Sequence, residues 1–122
     1  MRTRFALLML LALTLPMTAS AETKGPNGGI VVKVDDHPVE LVHRGQEIVF
    51  YVGDHHGKPQ PTKGLQARAI VQDGGQTKTV VLTPRAPNLF VGTLSAPLSA
   101  DARIVFSTWV DGHGLQVRFT LK

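Results

Sequence analysis

The amino-acid sequence predicts an all-β chain, and three observations carry that expectation. Short runs rich in Val, Ile, Thr and Phe recur along it, and clusters of Gly, Asp and Pro separate them. No stretch beyond residue 21 spaces apolar residues at helical intervals for three turns. Strands this short bury their apolar faces by stacking two sheets or closing one, and the expected architecture is an antiparallel immunoglobulin-like β-sandwich of about seven to eight strands.

The first element in chain order is not a strand. Arg2 and Arg4 precede an apolar run from Phe5 to Leu15, and Ala19-Ser20-Ala21 offers small residues for cleavage. Residues 1–21 are therefore expected to be a signal peptide, removed before Glu22. The run meets Pro16 too soon to span a bilayer, which takes about 20 apolar residues. No cysteine follows it to carry a lipid. Residues 22–122 are expected to form a single domain in the periplasm, without a membrane anchor once the signal is gone. A chain of about 100 residues buries roughly 65% of its unfolded surface, enough for one core.

Strands are expected at 29–34, 39–43, 47–53, 65–72, 76–83, 88–94, 102–110 and 115–121. In the last, Leu115, Val117, Phe119 and Leu121 share one face, and Gln116, Arg118 and Thr120 the other. Leu65, Ala67, Ala69 and Val71 repeat the pattern, and Phe50, Leu82, Phe106 and Phe119 are expected in the core. Trp109 has the parity opposite to Phe106 and Thr108, which sets it on the outer side. Glu40, between Val39 and Leu41, is expected to face solvent. Asp35-Asp36, Arg44-Gly45-Gln46, Asp73-Gly74-Gly75 and Asp111-Gly112-His113-Gly114 supply residues that tolerate the positive φ of tight hairpins. Pro59, Pro61, Pro84, Pro87 and Pro97 are expected in longer connections, where no ladder donor is lost.

Composition removes several function classes. The chain has no cysteine, which excludes disulfides, thiolate metal sites and a cysteine nucleophile. All three methionines lie before residue 22, so the mature chain has no sulfur ligand for Cu(I). Without Arg2 and Arg4, eleven basic residues face nine acidic ones, too small an excess to suggest nucleic acid. Ser95, Ser99 and Ser107 lack a nucleophile-elbow context, and no glycine-rich strand-to-helix loop is present for phosphate. An enzyme is not expected.

Strand direction sharpens the reading. If consecutive strands alternate in direction, the connections near 35–38, 54–64, 84–87 and 111–114 share one end of the molecule. Four of the five histidines fall there: His37, His55, His56 and His113. Asp54 and Asp111 lie beside them in sequence, while His43 belongs to the other end. Imidazole and carboxylate converging from separate loops suit Cu(II), Ni(II) or Zn(II), which accept nitrogen and oxygen ligands. Turn residues of these types are also common for purely conformational reasons.

Three segments carry a resemblance: Gly25-Pro26-Asn27-Gly28-Gly29, His37-Pro38-Val39-Glu40-Leu41-Val42, and Val49 through Pro59 with its Gly53-Asp54-His55-His56-Gly57 core. Together they resemble small secreted bacterial proteins and the N-terminal periplasmic domain of some heavy-metal efflux adaptor (membrane fusion) proteins. The resemblance implies a periplasmic β-sandwich associated with metal handling, with a metal-efflux adaptor or other envelope protein as partner. Where such proteins read His-Gly-Gly, this chain has Asn27-Gly28-Gly29, one ligand fewer.

The expected function is a periplasmic binding module that binds a divalent metal ion or serves as an accessory to heavy-metal efflux. The candidate metal ligands are His37, His55, His56, His113, Asp54 and Asp111. The alternative is a non-metal protein-protein interaction module, docking through a sheet edge or an exposed aromatic.

Overall fold

The computed structural model describes residues 22–121, and the expected signal peptide lies outside them. The described residues form strands and connections, with no helix. The strands are β1 (Thr23–Lys24), β2 (Ile30–Val34), β3 (His37–Arg44), β4 (Glu47–Val52), β5 (Ala67–Asp73), β6 (Gln76–Arg85), β7 (Leu89–Thr93), β8 (Arg103–Val110) and β9 (His113–Thr120).

All neighbours are antiparallel, in the order β1-β2-β3-β4-β7-β6-β5-β8-β9. The ladder is thus one curled sheet where two separate sheets were expected. Its continuity comes from β6, which is ten residues long. It pairs with β5 through Gln76–Leu82 and with β7 through Thr83–Arg85. The expected end of this strand at Thr83 falls short for that reason, and Pro84 lies within β6 opposite Phe90 rather than in a connection. The curl brings β2 and β9 alongside each other although they are not ladder neighbours.

The concave side holds the core. Phe50, Phe90, Phe106 and Phe119 are fully buried, and the Phe50 and Phe106 rings stack with centroids 4.6 Å apart across the two halves of the sheet. Leu82, Ala69, Leu115 and Val117 join them, as the alternation predicts. Trp109 points the other way and is 65% exposed.

Two-residue turns set the register. Asp35 and Asp36 have φ of 51° and 65°, Asp111 and Gly112 of 51° and 79°, so both hairpins use turns with two left-handed central residues. Such turns match the twist of the flanking strands. The first closes on the pair Val34 and His37, which starts β3 two residues earlier than expected and puts His37 into the ladder.

Glu40 departs from expectation. Its parity is outward, but the segment preceding β2 folds over it, leaving it only 4% exposed. Its carboxylate accepts hydrogen bonds from Asn27 N (2.9 Å), Asn27 Nδ2 (2.9 Å) and Gly29 N (2.8 Å). A side chain at Gly25 would overlap that carboxyl group, and one at Gly29 would overlap the Leu41 carbonyl. The glycines at 25 and 29 therefore let a turn lie flat on β3.

Candidate functional site

The alternating strand directions bring the 35–36, 53–66, 86–88 and 111–112 connections to one end of the curled sheet, as the sequence predicts. His37 opens β3 and shares its inward parity with Val39 and Leu41, which makes it a cap on the core, fully buried. His113 opens β9 with the inward parity of Leu115 and Val117. His43 lies six residues further along β3, about 20 Å away at about 3.3 Å per residue, and is exposed.

The long connection between β4 and β5 supplies His55. It is pinned at both ends: Gly53 N donates to Pro38 O (2.8 Å), Gln60 N to Val52 O (2.9 Å), and the buried Thr62 donates through Oγ1 to Arg85 O (3.2 Å). Between them Asp54 shapes a tight turn. Its Oδ1 accepts from His56 N (2.8 Å) and Lys58 N (2.9 Å), and Gly57 takes φ of 78°. These bonds, that of Lys58 N–H foremost, hold the Asp54 carboxyl below its ordinary value of 3.8.

The result is a cluster of three imidazoles. The ring centroids of His37 and His55 are 4.3 Å apart, those of His37 and His113 5.7 Å, and those of His55 and His113 6.4 Å. Asp111 joins from the β8–β9 hairpin, with Oδ2 3.9 Å from His55 Nδ1. One potential ligand atom from each of His37, His55 and Asp111 lies within 4.8 Å of the others.

Of the six expected ligands, then, the fold gathers His37, His55 and Asp111 and sets His113 beside them. His56 and Asp54 stand apart from this group. Adjacent residues in a tight turn point different ways, so His56 projects into solvent when His55 turns inward, and the Asp54 carboxylate is occupied by backbone N–H groups of its own loop.

His37 has a specific hydrogen-bonding state. Its Nδ1 lies 2.8 Å from the carbonyl of Gly53, an acceptor only, so Nδ1 carries a proton and Nε2 is the nitrogen of the neutral ring that can offer a lone pair. That Nε2 is buried and, among the described residues, has no hydrogen-bond partner. Buried polar atoms are normally paired, and an orphan costs about 1–3 kcal/mol. The Gly53 carbonyl is not among the candidate site groups read from the sequence, since a backbone acceptor leaves no signal in side-chain chemistry.

Comparison with protein-family models, with curated proteins and with solved structures finds no match.

Proposed function

We propose that this chain is a metal-binding module of the cell envelope, holding a divalent transition ion at the pole formed by His37, His55 and Asp111. The observation that carries the reading is the orphaned Nε2 of His37, buried next to a second imidazole and a carboxylate. An imidazole locked through its other nitrogen onto a backbone carbonyl is the arrangement that orients and sharpens a histidine ligand. Ligands bound at about 2.05 Å in a tetrahedron stand about 3.3 Å apart, so the three groups must draw inward. His55 and Asp111 can do so, because their side chains are each 48% exposed, while His37 stays fixed by packing.

Nitrogen and oxygen donors without sulfur suit Zn(II), Ni(II) or Cu(II) over Cu(I). Three such ligands leave a fourth position, for which His113 is a candidate, its ring 5.7 Å from that of His37. The resemblance to efflux adaptor domains and the expected export signal support the same reading, with the periplasm as compartment and metal-efflux machinery as partner.

Isothermal calorimetry on the protein tests this with zinc, nickel and cupric ions in turn. We expect one saturable site per chain for at least one ion, lost in a His55→Ala, Asp111→Ala double variant whose far-ultraviolet circular dichroism is unchanged. No heat of binding at tens of micromolar for any of the three ions refutes the reading.

A further inference from the structure

The convex face of the β6-β5-β8-β9 half carries a second feature, separate from the metal pole. Register aligns its outward residues into rows across the strands. Val81, Arg68, Ser107 and Gln116 form one row. Thr79, Ile70, Val105 and Arg118 form the next, and Thr77, Gln72, Arg103 and Thr120 a third. None of these positions is Asp or Glu, and all three cations are arginine. Arg68, Arg103 and Arg118 are exposed, and none makes an ion pair among the described residues. Asp73 and Asp101 border the same depression as Arg103, at the end away from Trp109, where Ser99 Oγ donates to both and Ser99 N to Asp73.

Apolar side chains interleave with these charges. Val81 is 80% exposed and Trp109 65% exposed, the two large hydrophobic residues that stand out on the described surface. Trp109 lies opposite Gly114, and a Cβ on that glycine would sit 3.4 Å from the indole. An open groove of about 830 Å³ runs beside the indole, bordered by Arg68, Val81, Pro84, Ser107 and Gln116.

We infer that this face docks an acidic protein segment, with Trp109 and Val81 receiving its apolar side chains and the arginines pairing with its carboxylates. Charge complementarity argues for the occupant: Arg68 and Arg118, exposed and in rows without Asp or Glu, attract a carboxylate-rich surface and disfavour a basic one. Arginine is also the cation whose planar fork fits a carboxylate in two-point fashion. Successive rows are two residues, about 6.7 Å, apart along the strands, which is the spacing of same-side side chains along an extended polypeptide. Tryptophan and arginine are the side chains most often dominant in protein interfaces. The inference does not depend on metal binding, although Trp109 and Gly114 flank the hairpin that carries Asp111 and His113, so a docked partner would lie beside that pole.

The test uses metal-free protein and the fluorescence of Trp109, the one tryptophan in the chain. The probes are a twelve-residue peptide alternating glutamate with threonine around a central leucine, the same peptide with lysine for glutamate, and vesicles containing 30% phosphatidylserine. We expect the acidic peptide to shift the emission saturably below millimolar concentration, and 0.5 M sodium chloride to abolish the effect. An Arg68→Gln, Arg118→Gln variant with unchanged circular dichroism should bind at least tenfold more weakly. In a Trp109→Ala variant, read by anisotropy of labelled peptide, binding should fall by a similar factor. Equal response to the lysine peptide, response to the vesicles without response to the acidic peptide, or no response to any probe at 1 mM overturns the inference.

Discussion

His37→Leu separates a ligand from a structural histidine, because burial alone does not distinguish them. His37 and Phe119 are both essentially inaccessible, yet their removal should have very different consequences. Leucine is similar in volume to histidine, so no large cavity opens. Its substitution removes the orphaned Nε2, a relief of about 1–3 kcal/mol, and deprives the buried Gly53 carbonyl of its donor, a loss of about the same size. The two cancel to within about 2 kcal/mol, so the metal-free variant should unfold in urea within that margin of the parent. Metal changes the comparison. At a free ion concentration a hundredfold above Kd, binding stabilises the parent by about 2.7 kcal/mol, worth a rise in Tm of roughly 10–20 °C for a domain this size. The variant should show no rise. A metal-free loss above about 3 kcal/mol would make His37 a packing residue, and an undiminished metal-dependent rise would remove it from the ligand set.

Other expectations follow from single contacts. Phe119→Ala should cost about 3–5 kcal/mol in the same urea assay, since it removes a fully buried ring whose centroid lies 5.8 Å from that of Phe50. Glu40→Ala should release the turn before β2, because three donors lose one acceptor group, and amide exchange at Asn27 and Gly29 should accelerate well beyond exchange in β8. Asp73 has its carboxyl held below 3.8, chiefly by the Ser99 hydroxyl and then by the Ser99 N–H. A depressed folded-state value gives stability that is present above about pH 4 and lost as pH falls through that lower value. Asp73→Asn should therefore unfold more easily than the parent at pH 7, with the gap closing below pH 3.8 in an acid titration followed by circular dichroism.

The sequence carries more of the fold than of the site, for physical reasons that particular residues show. Alternation in 115–121 and 65–72 sets which side chains are inward, because a strand has a side-chain period of two and a wrong register would expose the whole set. Phe50, Leu82, Phe106 and Phe119 accordingly reach the core, and Trp109 the outer face. The strand of Thr23–Lys24 is too short for any periodicity to reveal it. The continuity of the sheet depends on β6 crossing from one half to the other, a matter of long-range pairing that local pattern does not contain. The shared pole was readable because strand direction alternates. Which pole residues converge was not, since it depends on the turn around Asp54: the same N–H groups that engage its carboxylate turn His55 inward and His56 out. The burial of Glu40 is not legible in its own strand because its cover comes from a turn outside that strand.

The ligand role of His37 can be measured directly by long-range proton–nitrogen correlation of the imidazole rings during a zinc titration. In the metal-free protein His37 should carry a proton on Nδ1, hydrogen-bonded to Gly53, with Nε2 making no hydrogen bond. Zinc should then shift the Nε2 resonance of His37 together with the ring signals of His55, leave the Nδ1 proton in place, and spare His43. A His37 spectrum unchanged at saturating zinc, or a shift at His43 alone, would contradict the assignment of this pole as a metal site.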